Sequence, residues 1–539
     1  MELKKWWHDK IVYQIYPKSF MDANNDGYGD IKGIISKLDY LKDLGVDILW
    51  LTPYFKSPME DNGYDVADYL EVNDMFGTME DMDMLINETK KRDMYIMMDI
   101  VANHTSSEHK WFQESRKSKD NPYRDYYIWR DEPLFNRNST FGGSAWEYDE
   151  TTKQYYFHEF AKGQPDLNWE NPVVLEEMAK CINFWLDKGV KGIRFDVIQL
   201  IGKELDKNIT AYGPTLHQKV HELYKKSYGK YDIVTVGEAW GDLEKAIDFT
   251  DPKNEELNMV FNFDCTSYTT LTKFGKFSPR PIDMEFCKHN LIKYQHGLNH
   301  RSWNALVVEN HDLGRAINRF GDLNFYEKSA KAIPVMNYLL KGTPYIYQGQ
   351  ELGMTNPEFD NLDDYKDVEV FGFYNEYVVK NKFMTHEEFI AGCQKEARDN
   401  NRVPIQWSDG VNAGWNEGAT PWIGINPNYK EINAEKEIND PNSILNFYKK
   451  VFRLRKDERY AEAFVYGEFK EHMVEKENVF TFSRQTDNVK VLVVTNMRGN
   501  TEEIELPFEI VKTLLSNYDK EYTNKITLEP YEALVLEIK

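Results

Sequence analysis

Short, almost continuously hydrophobic runs recur between residues 11 and 349, and most are followed by a stretch with the periodicity of an amphipathic helix. Runs of this kind suit strands that are covered on both faces, as in a parallel sheet. The eight runs are IVYQIYP (11–17), DILWLTP (47–53), YIMMDIV (95–101), KGIRFDV (191–197), DIVTVGEA (232–239), MVFNFD (259–264), NALVVEN (304–310) and TPYIYQG (343–349). Eight strands alternating with helices predict a (β/α)8 TIM barrel, an α/β fold.

An open, doubly wound sheet is the alternative fold. Such a sheet usually carries a glycine-rich phosphate-binding turn after an early strand, and no such turn is present here. Three helical stretches each end in glycine, a common helix terminator. They are IKGIISKLDYLKDLG (31–45), VVLEEMAKCINFWLDKG (173–189) and YEKSAKAIPVMNYLLKG (326–342). The sequence therefore favours the closed barrel.

Two departures from this alternation indicate additional domains. The polar and aromatic sequence after the third run is too long for a simple loop, so we predict an inserted subdomain at residues 104–171. Short alternating strands separated by turns are typical of an all-β domain, and they predict a C-terminal antiparallel β-sandwich domain at 465–539. The barrel itself then comprises residues 1–103 and 172–464.

The charge balance excludes several classes of partner. The chain has 66 Lys and Arg against 89 Asp and Glu, a net charge of -23, and such a surface repels nucleic acids and anionic lipids. It contains no run of about 18 apolar residues that could span a membrane and no N-terminal secretory pattern. The four cysteines form no C-x-x-C pair, which suits free thiols in a reducing compartment. We expect a cytoplasmic monomer or weak homo-oligomer.

Acidic residues occur where several of the predicted strands end. Asp99 lies in the third run, Asp196 ends the fourth, Glu238 ends the fifth, and Asp312 follows the seventh. The carboxyl ends of barrel strands surround the active site, so these four side chains should converge on one cleft. Like charges in a shared cleft repel each other and raise each other's pKa. Any one of them alone could be a solvated loop residue, but their occurrence together indicates an active site.

Three chemistries can use such a cluster of carboxylates. A two-metal hydrolase usually has histidine pairs such as H-x-H, which are absent, and magnesium-assisted proton abstraction usually needs a Lys or His base. Glycoside hydrolysis needs one carboxylate nucleophile and one protonated carboxyl. Arg194 shares a strand face with Asp196, and a neighbouring guanidinium should keep that carboxyl ionised. This arrangement favours glycoside hydrolysis.

Five motifs give the chain a resemblance to glycoside hydrolase family 13, the α-amylase family, and within it to the oligo-1,6-glucosidase and dextran glucosidase group. The motifs are DIVANHT (99–105), QPDLNW (164–169), GIRFDV (192–197), GEAW (237–240) and VENHD (308–312). Two further group patterns, NGYDV (62–66) and RDNNRVPIQW (398–407), extend the resemblance over essentially the whole chain. It implies a retaining exo-α-glucosidase that acts on small α-glucoside oligosaccharides without an organic cofactor.

The resemblance also implies roles for individual residues. Asp196 matches the nucleophile, Glu238 the acid/base, and Asp312 the third carboxylate, which binds sugar hydroxyls. Six further residues match substrate-binding positions: His104 and His311 on hydroxyls of the reacting glucose, Arg194 beside the nucleophile, Asp61 and Tyr64 at the blind end of the pocket, and Arg402 as the arginine partner there. A retaining enzyme holds its two catalytic carboxyls about 5–5.5 Å apart.

Linkage preference depends on one position. In this group, Val directly after the nucleophile accompanies α-1,6 specificity, and Thr or Ala accompanies α-1,4 specificity; here the residue is Val197. Alternatively, Val197 is only a strand residue that packs the barrel. An α-1,4-acting α-glucosidase, a trehalose-6-phosphate hydrolase, which FGGSAWEY (141–148) resembles, and a sucrose isomerase stay open. Residues 321–331 lack the arginines expected of a sucrose isomerase loop, and the intact motifs argue against a non-catalytic relative.

An acidic loop after the first strand predicts a metal site. In DANNDGYGD (22–30), oxygen-bearing side chains occupy positions 1, 3, 5 and 9, and a backbone carbonyl is available at position 7. An EF-hand would place Glu at position 12, where this chain has Gly33. The resemblance implies a structural Ca²⁺ here, with Mg²⁺ or an acidic turn without metal as alternatives. The predicted ligands are Asp22, Asn24, Asp26, Tyr28 and Asp30.

Overall fold

The computed structural model describes residues 4–539, and its centre is a sheet of eight parallel strands. The strands are β1 (Val12–Ile15), β2 (Ile48–Leu51), β3 (Tyr95–Val101), β4 (Gly192–Asp196), β5 (Val234–Gly237), β6 (Met259–Val260), β7 (Ala305–Leu306) and β8 (Thr343–Tyr347). Neighbours pair in the order β6-β5-β4-β3-β2-β1-β8-β7. A parallel bridge between Phe261 and Ala305 joins the two ends. Each predicted run contains one strand, and the predicted barrel is confirmed.

Helices on the outside of the barrel connect most of these strands. Thr78 caps the helix Met79–Lys91 through a reciprocal capping box with Asp81, and Asn171 caps the helix Pro172–Asp187. Gly45 ends Leu38–Leu44 with a left-handed φ of 103°, a conformation that glycine adopts without strain. Further helices around the barrel are Ile31–Ser36, Leu216–Lys226, Leu243–Thr250, Met284–Gly297, Tyr326–Tyr338 and Ile444–Lys456.

Side-chain alternation along the strands separates the barrel interior from the helix-facing layer. Ile193 and Phe195 of β4 point outwards into the large core between sheet and helices. A second core fills the interior with side chains such as Trp50, Met97 and Phe261. Arg194 and Asp196 have the same strand parity as the interior positions, so β4 delivers both to the interior near its carboxyl end. The strand pattern therefore positions the charged residues at one mouth of a packed barrel.

The inserted and C-terminal segments have their own sheets. Residues 104–171 contain the helix Lys110–Ser115 and a three-stranded antiparallel sheet of Trp129–Arg130, Gln154–Phe157 and Trp146–Asp149. The C-terminal sheet has the order Glu468–His472, Val479–Gln485, Lys490–Asn496, Ala533–Ile538, Ile510–Ser516, and Glu502–Glu505 pairs with Lys525–Leu528. The predicted C-terminal antiparallel domain is confirmed. The precise domain boundaries stay predictions.

A further excursion follows β8. It contains Val368–Tyr374, which continues into the π-helical turns of Asn375–Lys380, and then His386–Glu396 and Asp399–Arg402. These helices pack around a small hydrophobic cluster of their own, which includes Phe277, Val370 and Phe389. Because this cluster is separate from the main core, the excursion forms a distinct layer on the barrel.

All four cysteines, Cys181, Cys265, Cys287 and Cys393, are buried free thiols. Within residues 4–539, none of the helices has the length and apolar character needed to cross a membrane.

Candidate active site

One guanidinium group organises the acidic residues at the strand ends. Arg194 Nη1 donates to Asp99 Oδ1 at 2.7 Å and to Asp196 Oδ1 at 2.8 Å. Its Nη2 donates to Glu238 Oε2. These three carboxyls come from β3, from the end of β4 and from the residue after β5. Asp196 and Glu238 therefore share one arginine and lie on the same side of the barrel.

The proposed nucleophile, Asp196, is buried among other charged side chains. Burial raises the pKa of Asp196 well above its ordinary value, with the charges of Glu238 and Asp99 acting in the same direction and Arg194 acting against them. Arg194 thus lowers the pKa of Asp196, as the sequence predicted, but burial raises that pKa by more. A raised pKa favours the protonated form of Asp196, whereas a retaining nucleophile must be ionised to attack. The ionised form that the reaction needs is stabilised by the hydrogen bond from Arg194 to Asp196 Oδ1.

The proposed acid/base is oriented from a second side. Trp240 Nε1 donates to Glu238 Oε1 at 2.9 Å, while Arg194 holds the other oxygen. The Trp240 ring is 43% exposed and stacks on Phe263 with ring centroids 4.5 Å apart. An exposed indole stacked on a second ring next to a catalytic carboxyl is suited to contact the leaving group.

Asp312 is held as a carboxylate by the opposite balance of charges. Burial alone would raise the pKa of Asp312, but the charges around it lower the pKa well below its ordinary value. Arg402 Nη2 lies 2.8 Å from Asp312 Oδ1, and Arg398 Nη1 lies 3.6 Å from it. His311 Nε2 lies 3.2 Å from Asp312 Oδ2, but burial lowers the pKa of His311 far below its ordinary value. The imidazole is therefore neutral, and the two arginines supply the positive charge.

The arginine partner at the blind end differs from the one predicted. Arg398, not Arg402, pairs with Asp61, at 3.0 Å between Nη2 and Oδ1. Arg402 instead contacts Asp312 and Asp367, each at 2.8 Å. Arg398 and Arg402 are four residues apart at one short helix, so they face the same side. The motif supplies both arginines and cannot specify which one reaches Asp61.

The remaining residues at the blind end form a layer of rings and amides. Gln164 Nε2 donates to Asp61 Oδ2 at 3.0 Å. Tyr64 donates its hydroxyl to Asp99 Oδ2 at 2.9 Å and stacks on His311 with an interplanar angle of 4°. Burial lowers the pKa of His104 to about 4, so this imidazole is neutral at pH 7, and its Nε2 lies 3.0 Å from the carbonyl oxygen of Tyr64.

These residues surround a cavity of about 370 Å³. The predicted residues in its wall are Asp61, Tyr64, His104, Asp196, Glu238 and Asp312. Arg194, His311 and Arg402 are not part of the wall; they lie behind it, almost fully buried. A larger cavity of about 630 Å³ lies near the amino ends of the strands, where Lys10, Tyr95 and Lys191 line it. It is at the wrong end of the barrel for the carboxylates, so we assign the site to the smaller cavity.

Several wall residues were not predicted from the sequence. They are Thr140, Phe141, Glu159, Phe160, Gln199, Leu200, Lys276, Glu369 and Arg398. Among them, Lys276 Nζ pairs with Glu369 Oε2 at 3.0 Å. Most come from the inserted subdomain or from the excursion after β8, where no periodic pattern marks inward-facing positions. Two of them carried a sequence signal: Arg398 lies in the RDNNRVPIQW motif, and Phe141 begins the FGGSAWEY stretch.

The predicted metal loop is shaped by its own carboxylates. Asp22 is buried and accepts backbone N–H groups of Asn25 at 2.7 Å and Gly27 at 2.9 Å. Asp30 Oδ2 accepts N–H groups of Ala23 and Asn24 at 2.8 and 3.1 Å. Within residues 4–539, no three Asp, Glu, His or Cys side chains are placed to hold an ion by themselves. The loop offers only oxygen ligands, including a side-chain amide and a backbone carbonyl, and this donor set fits Ca²⁺.

A closed α/β barrel that presents two carboxyls bound to one arginine and a third, ionised carboxylate in the same pocket has the site of a glycoside hydrolase. Residues 14–467 match the family model for the α-amylase catalytic domain, and residues 479–535 match the α-amylase SusG C-terminal domain. The chain belongs to the α-amylase family.

Its relatives include several substrate specificities. An oligo-1,6-glucosidase of Parageobacillus thermoglucosidasius is 46% identical, with 99% of each chain covered. A trehalose-6-phosphate hydrolase of Bacillus subtilis is 41% identical over 99% of this chain and 98% of its own. The solved structure of an isomaltulose synthase mutant of Erwinia rhapontici NX5 with its natural substrate sucrose superimposes with a TM-score of 0.96, at 40% identity and full coverage of both chains. These relatives share one family but act on different substrates, so the substrate of this chain has to be inferred from the residues of its own pocket.

Proposed function

We propose that this chain is a retaining exo-α-glucosidase that releases terminal α-1,6-linked glucose from isomalto-oligosaccharides. The observation that carries the proposal is the sharing of Arg194 between Asp196 and Glu238 in a pocket whose far end is occupied by the Asp61–Arg398 ion pair. A pocket closed at one end accepts a chain terminus rather than an internal unit, so cleavage removes one glucose at a time.

The geometry supports a double displacement. Asp196 Oδ attacks the anomeric carbon while Glu238 transfers its proton to the departing glycosidic oxygen, so that a glucosyl ester forms as the glycosidic bond breaks. Glu238, now a carboxylate, removes a proton from water, whose oxygen attacks the same carbon and releases Asp196. Glucose leaves with its original anomeric configuration, and Glu238 is again protonated.

Asp312 and its arginines serve the reacting sugar without exchanging protons. Because Arg398 and Arg402 keep Asp312 ionised, its oxygens can accept hydrogen bonds from ring hydroxyls throughout the reaction. Charge-assisted hydrogen bonds of this kind strengthen as positive charge develops on the sugar ring. The role of Asp312 is therefore electrostatic and orienting.

The charge of the cavity wall favours a neutral substrate over a phosphorylated one. Six carboxyl side chains line the cavity (Asp61, Glu159, Asp196, Glu238, Asp312 and Glu369), against only two cations, Lys276 and Arg398. Lys276 pairs with Glu369, and Arg398 pairs with Asp61 and Asp367. A phosphate dianion would meet a net negative wall whose cations are already paired. This argues against trehalose 6-phosphate as the substrate.

Val197 supports the α-1,6 preference. It lies directly after β4 and is one of the residues that line the cavity. Its φ of 34° and ψ of 45° are left-handed, which is unusual for a β-branched residue. Such strain is maintained where the surrounding structure fixes the residue. Its side chain lines the cavity next to Asp196 and offers an apolar surface to the extra methylene group of an α-1,6 bond.

A substrate panel tests this specificity. We expect kcat/KM for isomaltose to exceed that for maltose by about 100-fold and to exceed that for trehalose 6-phosphate by at least as much, because pocket contacts worth about 1–3 kcal/mol separate such substrates. Val197→Thr should reduce the isomaltose-to-maltose ratio by about tenfold. Leu200→Met, a volume-conserving change elsewhere in the same wall, is the matched control. Fastest hydrolysis of trehalose 6-phosphate would overturn the assignment.

We also propose that the loop of residues 22–30 holds a structural Ca²⁺. Support comes from the donor set, in which every candidate ligand atom is an oxygen and all five residues belong to one short loop. Asp22, Asn24, Asp26, the Tyr28 carbonyl and Asp30 would hold the ion. The ion would stabilise the fold of the loop, and none of these residues lines the catalytic cavity.

Calcium should therefore raise thermal stability without changing turnover. At a concentration about 100 times its Kd, a ligand specific for the folded state adds about 2.7 kcal/mol, which corresponds to a Tm increase of about 2–3 °C in a chain this large. Differential scanning calorimetry of chelated protein with Ca²⁺ or Mg²⁺ added back measures this shift. Asp26→Asn should reduce the increase, whereas Asp519→Asn, an exposed control in the C-terminal domain, should leave it intact. Equal Tm values with and without Ca²⁺ would contradict the proposal.

A further inference from the structure

The inserted subdomain touches the excursion after β8 through a close backbone contact. Glu376 accepts hydrogen bonds from Asn138 Nδ2 at 3.1 Å and from the backbone N–H of Gly143 at 3.4 Å. Gly372 lies so close to the carbonyl oxygen of Phe141 that a β-carbon at this glycine would overlap it. We call this contact, between residues 138–143 and residues 372–376, the clamp.

Two glycines allow the clamp to form. Besides Gly372, Gly142 adopts a φ of 87°, and a β-carbon there would lie 3.1 Å from Glu376 Oε2 and 3.4 Å from the carbonyl oxygen of Gly372. Both sides therefore approach with backbone rather than side chains between them. Such an approach needs glycine on both partners and leaves little room for adjustment.

The clamp borders the catalytic cavity from both sides. Phe141 lines the cavity and is only 6% exposed. Its ring lies 4.7 Å from the Arg398 guanidinium and 5.5 Å from the ring of Phe160. Glu369, one helical turn before Gly372, lines the cavity from the other partner. The position of Phe141 over the arginine that reaches Asp61 thus depends on how the two segments meet.

The helix geometry on the barrel side is itself unusual. The α-helix Val368–Tyr374 passes directly into π-helical turns at Asn375–Lys380. A π-helical turn shifts the register of the side chains that follow it, and such turns are often found at functional sites. Here the change occurs at Glu376, the residue whose carboxylate reaches the inserted subdomain.

We propose that Gly372 and Glu376 are positioning residues for sugar binding, and that they act by fixing Phe141 as one wall of the pocket. The inference deepens the proposed α-glucosidase function and rests on it. Because the clamp touches no catalytic carboxyl, its loss changes how tightly the terminal glucose is held and leaves the chemical steps intact.

The test is Gly372→Ala assayed with p-nitrophenyl α-D-glucopyranoside, whose hydrolysis does not depend on the preference for one natural linkage. We expect KM to rise about tenfold with kcat changed less than about twofold, since misplacement by a fraction of an ångström weakens binding steeply. Calorimetric titration with D-glucose should show the same factor in Kd. Gly410→Ala is the matched control, because its added methyl group would meet only Ser408 Oγ at 3.2 Å.

A double-mutant cycle distinguishes positioning from general destabilisation. In a Phe141→Ala background, Gly372→Ala should have almost no further effect on KM, because its route of action has been removed. Glu376→Gln keeps the shape of the clamp and should raise KM about threefold, which provides a test even if Gly372→Ala does not fold. A fall in kcat at unchanged KM, or additive effects in the cycle, would overturn the proposal. Hydrolysis of the aryl glucoside without hydrolysis of isomaltose would instead overturn the α-1,6 assignment alone.

Discussion

Replacing Asp196 with asparagine is expected to lower kcat for isomaltose by about 10⁴-fold or more, because the amide cannot form the glucosyl ester on which the reaction depends. The change preserves the size of the side chain and its hydrogen bond from Arg194, so substrate binding should persist. The second readout is the mass of the intact protein after incubation with a 2-deoxy-2-fluoroglucosyl donor, whose ester with the enzyme hydrolyses slowly. The unaltered protein should gain one fluoroglucosyl unit, and the variant should gain none.

Loss of activity in this variant should not come from loss of the fold. Burial and the charges of Glu238 and Asp99 raise the pKa of Asp196, which means that its ionised form is unfavourable in this cluster. Neutral asparagine removes this cost, so the Tm of the variant should equal or exceed that of the unaltered protein. Glu159→Gln, a neutralised carboxyl in the same wall, is the control and should keep activity within about tenfold. Normal turnover by Asp196→Asn would reject the nucleophile assignment.

The strands of the barrel were predictable because a strand covered on both faces is buried along its whole length and is therefore mostly apolar. This condition applies to all eight barrel strands, including the two-residue β6 and β7. It does not apply to Glu468–His472, Ile510–Ser516 and Lys525–Leu528 of the C-terminal domain, each of which has exposed positions. These strands lie at edges of the C-terminal sheets and carry exposed or charged residues, so hydrophobicity marks them poorly.

The catalytic carboxyls were predictable for a related reason. A residue at the carboxyl end of a barrel strand has its position set by strand geometry, and Asp196 and Glu238 both meet this condition. Phe141, Lys276 and Glu369 do not, because they lie on segments whose positions depend on packing between distant parts of the chain. The motifs describe the chemistry, and the excursions determine the shape of the pocket.

Val197 shows where strand geometry alone is misleading. Continued alternation would turn this residue away from Asp196 and towards the helices. Instead the chain turns left-handed immediately after β4, and the backbone N–H of Ile198 donates to the carbonyl of Glu238 at 3.0 Å. This bond links the nucleophile segment to the acid/base segment and brings the side chain of Val197 into the cavity wall. A local sequence pattern contains no information about this bond.

Replacing Glu238 with alanine should slow hydrolysis according to how much protonation the leaving group needs. For isomaltose, loss of the general acid should lower kcat/KM about 10²–10⁴-fold. For α-glucosyl fluoride, whose leaving group needs little protonation, the fall in kcat/KM should be far smaller.

Azide should accelerate turnover by the Glu238→Ala variant, because azide attacks the glucosyl ester on Asp196 without general-base assistance. The ester carboxylate departs as the C–N bond forms, and the product should be α-glucosyl azide, identified by its anomeric proton coupling in NMR. Trp240→Phe removes the hydrogen bond to Glu238 but keeps the Glu238 carboxyl and an aromatic ring beside it, so this control should show no azide effect. A β-configured azide product would mean that the nucleophile and the acid/base had been assigned the wrong way round.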